Sequence, residues 1–198
     1  MLKATLVVLA LVGANAVHAQ PQAQAPDLKA ASDFGSIADR GERSKALFVE
    51  AGKVIQHPRC LNCHPKGERP MQGEAMRPHQ PPVVRGPADT GAVGLPCTTC
   101  HGVANHEPSG VPGHPLWHVA PVSMAWEGQT LGQICEQLKD RRRNGDKSLA
   151  QIHEHMAKDT LVGWGWSPGG KRQPAPGTQE RFGELIRAWI DTGAACPA

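Results

Sequence analysis

Cys60-Leu61-Asn62-Cys63-His64 and, about 37 residues on, Cys97-Thr98-Thr99-Cys100-His101 are the stretches on which the reading of this chain turns. Both spell C-x-x-C-H. The chain holds six Cys in 198 residues, at 60, 63, 97, 100, 135 and 196. Four fall in the two pairs, which leaves Cys135 and Cys196 over.

The spacing has a mechanical sense. Two thiols three positions apart can reach the two vinyl groups of one haem and form thioethers, and the next residue, His, is then placed under the iron as proximal ligand. Cys60, Cys63, Cys97 and Cys100 are therefore the expected attachment points of two haem c groups, with His64 and His101 as proximal ligands. Two other readings use the same residues. All four thiolates could hold one zinc ion across the gap from Cys63 to Cys97, or a pair could do thiol redox chemistry. Two copies of the full five-residue pattern behind an export signal favour haem.

On these motifs the chain resembles a dihaem cytochrome c, and the stretch from about Lys53 to Gly102 carries the likeness. His155-Met156-Ala157-Lys158-Asp159-Thr160-Leu161-Val162-Gly163-Trp164-Gly165-Trp166-Ser167-Pro168-Gly169 is also similar to small exported cytochrome-like proteins grouped with N-heterocycle (isoquinoline-type) oxidoreductases. The first resemblance implies a mainly α fold with long irregular loops, cytochrome c-like, holding both haems in one compact unit. The second implies a redox partner such as a molybdenum hydroxylase.

The distal ligand of each iron is open. His and Met are the usual choices, and Met raises the potential. His79, between Pro78 and the Pro81-Pro82 pair, sits in a stiffened loop and is a candidate over the first haem, with Met71 and Met76 as rivals; His57 stands too near its own haem to loop over it and is a candidate to cap the neighbouring one or to bond a propionate. Met124, after Pro121-Val122-Ser123, is a candidate for the second, with His155 as its rival and His106, His114 and His118 nearby. His153 and His155 point to nearly opposite sides of one helix, so at most one should serve a given iron.

Outward from the motifs, the chain has 22 Gly, 18 Pro and no Tyr, a composition with much loop and a modest core. Lys3, the apolar run Leu6 to Val12 and the small residues of Val17-His18-Ala19 read as a signal peptide cleaved after Ala19; a retained anchor is the alternative. Gln20 to Ala31 is rich in Gln, Pro and Ala, and residues 20–35 are expected to be a disordered leader before one dihaem unit over 36–198. Formal charge is +3, with Arg141-Arg142-Arg143 the densest cluster, too little for nucleic-acid binding. Helices are expected over Ser36 to Gln56, from Thr130 (capping box with Gln133) to a stop at Asn144-Gly145, from Ser148 (capping box with Gln151) to near Asp159, and over Thr178 to Thr192. Residues 65–96 read as loop. The two spare thiols, in an exported chain, are expected to form a Cys135–Cys196 disulfide, the alternative being two buried free thiols. Trp164 and Trp166 either line a haem edge or pack in the core.

These readings point to a periplasmic electron carrier. It would take electrons from an exported or membrane-bound dehydrogenase and pass them to a downstream cytochrome or oxidase, with peripheral membrane contact possible. The competing expectations are a small dihaem peroxidase-like enzyme with one open iron site and a haem-based gas sensor.

Overall fold

Helix α1 (Arg40–Ile55) shows how the chain builds its core. Leu47, Phe48, Ala51, Val54 and Ile55 recur at helical spacing, and each is 1% exposed or less. Asp39 caps the start, accepting from the Glu42 N–H at 2.8 Å. The helix therefore begins four residues later than Ser36, and it ends before His57-Pro58 as expected. The computed structural model describes residues 27–198. The signal peptide, its cleavage site after Ala19 and residues 20–26 lie outside the described residues.

The expected leader is corrected in its second half. Residues 27–35 are packed, not loose: Leu28 and Phe34 are 5% and 8% exposed and join the core, around a 3-10 turn over Ala31–Phe34. Two bulky apolar side chains decide the placement of this stretch, which itself holds no Gln or Pro. Burying each is worth about 1.5–3 kcal/mol.

A four-residue helix, α2 (Pro58–Leu61), follows α1 directly. Its N-cap is His57, whose ring accepts from the Arg59 N–H, and Pro58 stands at the first helical position. Three longer helices follow later: α3 (Leu131–Lys139), α4 (Leu149–Lys158) and, after the short α5 (Thr160–Gly163), α6 (Gln179–Asp191). Both capping boxes form, Thr130 with Gln133 and Ser148 with Gln151. Helix α6 packs against α1 on one side and α4 on the other. Against α4 the fit needs a glycine, because a Cβ on Gly183 would lie 2.6 Å from the Ala157 Cβ. Phe182, Leu185, Ile186 and Trp189 fill the seam, and the Trp189 ring lies 4.8 Å from that of Phe48. Cys135 on α3 is disulfide-bonded to Cys196, with the Cα atoms 5.6 Å apart. That bond ties the end of the chain to the helical core. Among the described residues no helix is long and apolar enough to cross a membrane.

The segment between the motifs is of another kind. It has two short antiparallel ribbons, β1 (Met71–Gln72) with β2 (Arg77–Pro78) and β3 (Gly91–Ala92) with β4 (Leu95–Pro96), in registers Met71↔Pro78 and Gly91↔Pro96. Between 86 and 118 the only buried residue is Gly113. One buried cation organises this lobe. Arg85, 4% exposed, donates to the carbonyls of Pro65 (2.9 Å), Gly67 (3.1 Å) and Ala120. It thereby fastens both ends of the loop region to each other.

Candidate functional site

Each C-x-x-C-H stretch closes into the same turn. In the first, the N–H groups of Cys63 and His64 both donate to the Cys60 carbonyl, at 3.1 Å. In the second, those of Cys100 and His101 donate to the Cys97 carbonyl, at 3.2 and 2.9 Å. On such a turn positions i, i+3 and i+4 share a face, so two sulfurs and one imidazole are presented together.

The two imidazoles are then anchored alike. His64 Nδ1 lies 2.7 Å from the Met124 carbonyl, and His101 Nδ1 lies 2.7 Å from the Pro112 carbonyl. A carbonyl only accepts, so Nδ1 carries the proton and Nε2 is left with its lone pair. Each ring also stacks on a tryptophan: His64 on Trp126 (centroids 3.5 Å apart, planes at 8°) and His101 on Trp117 (4.6 Å, 12°). A ligating histidine needs this, a second-sphere carbonyl that fixes tautomer and orientation and leaves the other nitrogen free.

The first turn faces a cavity of about 400 Å³. Cys60, Cys63 and His64 stand in its wall, with Met124, Trp126, Ile152, Met156, Trp164, Trp166 and Phe182 supplying apolar surface. Size and lining are those of a cofactor pocket, for which about 300–1,000 Å³ is usual. The Trp126 indole N–H is buried and has no hydrogen-bond partner within the chain. Burial dominates the electrostatics. It holds the His64 imidazole down to about 4, against the pull of the Met124 carbonyl, so the ring is neutral at pH 7. It pushes the Cys60 thiol up to about 12 and the Cys63 thiol up to about 11, Arg59 opposing in both cases. These are protonated thiols, unlike the lowered thiolate of a reactive redox pair. Burial raises Cys97 as well.

The second turn is open. Cys100 is exposed, Cys97 and His101 are half-buried, and burial lowers His101 with the Pro112 carbonyl opposing. Val93, Val103 and Leu116, in the chain on either side of it, are 92%, 76% and 62% exposed.

The candidate distal ligands are exchanged between the sites relative to their sequence order. His79, expected over the first turn, lies against the second: its ring centroid is 5.9 Å from that of His101. His79 directly follows β2, and its N–H donates to the Pro70 carbonyl at 3.0 Å. Met124 and His155, expected at the second turn, line the cavity of the first. His118 lines it too, and its Nδ1 donates to the Leu116 carbonyl at 2.6 Å. His155 Nδ1 lies 3.2 Å from Asp159 Oδ2; burial lowers its pKa and Asp159 opposes. His153 points elsewhere and meets Arg187 at 3.2 Å. Of the rivals, His57 is a helix cap. His114 has both ring nitrogens engaged, with Thr160 and the Leu116 N–H. His106 bonds Ser109. Met71 and Met76 sit in the β1–β2 ribbon and its turn. Among the described residues, no three His, Cys, Asp or Glu side chains are gathered as a bare metal ion would need.

Three functional elements escaped the sequence reading: the carbonyls of Pro112 and Met124, the stacking rings Trp117 and Trp126, and Arg85. Backbone acceptors leave no mark in sequence. The tryptophans lie 16 and 62 residues beyond their histidines, a spacing no periodicity reports. No family model, no curated protein and no solved structure matches the chain.

Proposed function

We propose that this chain is a periplasmic, cytochrome c-like electron carrier with one haem c attached at each C-x-x-C-H turn. The observation that carries the reading is the matched anchoring of two imidazoles, each with Nδ1 held by a backbone carbonyl at 2.7 Å, each on a tryptophan face, each beside two thiols on one helical turn. Cys60 and Cys63, Cys97 and Cys100 would hold the porphyrins, and His64 and His101 the irons. Bound there, haem supplies a one-electron couple whose potential is set by axial ligand and burial. The chain's own part is to fix the imidazoles, exclude water from the first site with Trp126, Trp164, Trp166 and Phe182, and leave the second near the surface. The electron donor fits an exported or membrane-bound dehydrogenase, a molybdenum hydroxylase being the class the sequence resemblance implies.

Expression of the chain with export and haem-attachment machinery tests this. The mature protein should gain the mass of two haems and show low-spin spectra at both irons. Replacing Cys60 and Cys63 with Ser should remove one haem mass, and replacing Cys97 and Cys100 the other. A colourless protein of unmodified mass overturns the reading. A high-spin, peroxide-reactive iron would replace carriage with a peroxidase-like reaction.

A further inference from the structure

His79 is held as firmly as any ligand in the chain, by groups that have no other evident task. Its N–H donates to the Pro70 carbonyl at 3.0 Å. Its carbonyl accepts from Arg69 twice, from Nε at 3.2 Å and Nη2 at 2.7 Å. Its Nδ1 lies 2.9 Å from the Pro81 carbonyl and so must carry the proton. Only Nε2 has no hydrogen bond. His101 is in the same condition, with Nδ1 committed to Pro112.

The distance between the two rings is telling. Metal–imidazole bonds run about 2.0–2.1 Å, and a ring nitrogen lies about 1.1 Å from its ring centre, so two imidazoles on opposite sides of one ion have centroids roughly 6.3 Å apart. Those of His79 and His101 are 5.9 Å apart, with planes at 65°. Two imidazoles, each locked through Nδ1 and each with Nε2 free of hydrogen bonds, are therefore spaced as the two ligands of a single ion.

We infer that His79 is the second axial ligand of the iron at the Cys97–His101 turn, which makes that haem bis-histidine. The inference rests on the proposed function. At the first cavity Met124, Met156, His118 and His155 all remain candidates, His118 with its Nδ1 held by the Leu116 carbonyl at 2.6 Å. Two imidazoles lower a haem potential relative to His/Met ligation, so the exposed second haem is the lower-potential partner wherever the first binds Met.

The experiment uses the purified protein carrying both haems. Electron paramagnetic resonance and visible spectra are recorded for the wild type, for His79→Ala and for His79→Met. In His79→Ala one of two low-spin signals should be lost to a high-spin species, and added imidazole should restore it. In His79→Met, which keeps a ligand and most of the side-chain volume, one midpoint potential should rise while the other stays. The signal affected should be the one missing from the protein with Cys97 and Cys100 replaced by Ser. Two unaltered low-spin signals in His79→Ala, or an altered signal that survives loss of the second attachment site, overturn the pairing and leave the proposed function standing. A wild type without haem would instead remove the proposed function itself.

Discussion

The two C-x-x-C-H turns have the same backbone and opposite surroundings. The first is set among helices, at the edge of a core where Phe48, Leu185, Ile186 and Trp189 are wholly buried. The second sits in a lobe of ribbons and turns where, from 86 to 118, Gly113 alone is buried. Identical local chemistry is thus placed in a dry site and a wet one. The difference teaches that the five-residue motif specifies the local turn, while the fold around it specifies how much solvent reaches it.

The contrast can be broken or sharpened by stability measurements. The largest effect is expected in the helical half. Replacing Cys135 and Cys196 with Ser opens a loop of 61 residues, worth about 4 kcal/mol by chain entropy. Urea unfolding should show a loss of that order, and a loss under about 1 kcal/mol would mean the helices hold the chain end without the bond. Next comes an acid effect on the haem-free chain. His64 has its folded pKa lowered to about 4, so the unfolded state binds its proton first as pH falls. The contribution is complete above the unfolded value near 6.5 and is lost as pH falls toward 4, by at most about 3 kcal/mol. Denaturant titrations from pH 7 to 4 should show this slope, and replacing His64 with Gln should flatten it. The smallest effect belongs to the open lobe. Val93→Ser on the exposed ribbon, with its side chain in water, should change stability by no more than about 0.5 kcal/mol. A large loss there in the haem-free chain would mean that the lobe is packed after all.

Much of the helical half was legible because its signals are local. The stripes of α1, α3, α4 and α6 and the boxes at Thr130 and Ser148 need only a few neighbouring residues. The spare cysteines needed only export and arithmetic. The errors lie where distant parts meet. Helix α3 stops at Lys139 instead of reaching Asn144-Gly145, because the buried Asn144 side chain turns back to the Leu138 carbonyl (2.8 Å) and ties Lys147, filling 140–145 with turns. His79 was assigned to the nearer motif because sequence distance was the only guide; a two-residue ribbon carries it to the other. The leader was misjudged since composition averages over Leu28 and Phe34, the two residues that matter. The site itself was half legible. Its four thiols and two imidazoles are written in the motifs, and the carbonyls and rings that orient the imidazoles are written nowhere.

The two carbonyl anchors differ in one more respect. That of His101 comes from Pro112, 11 residues downstream, and that of His64 from Met124, 60 residues downstream. Closing the longer loop costs about 1.5 kcal/mol more in entropy. Along a chain delivered from its N-terminus, the second imidazole therefore has its anchor within a short, self-sufficient stretch, while the first waits for a segment beyond the second motif. The site that comes first in the sequence is the one whose assembly depends on more of the chain having arrived.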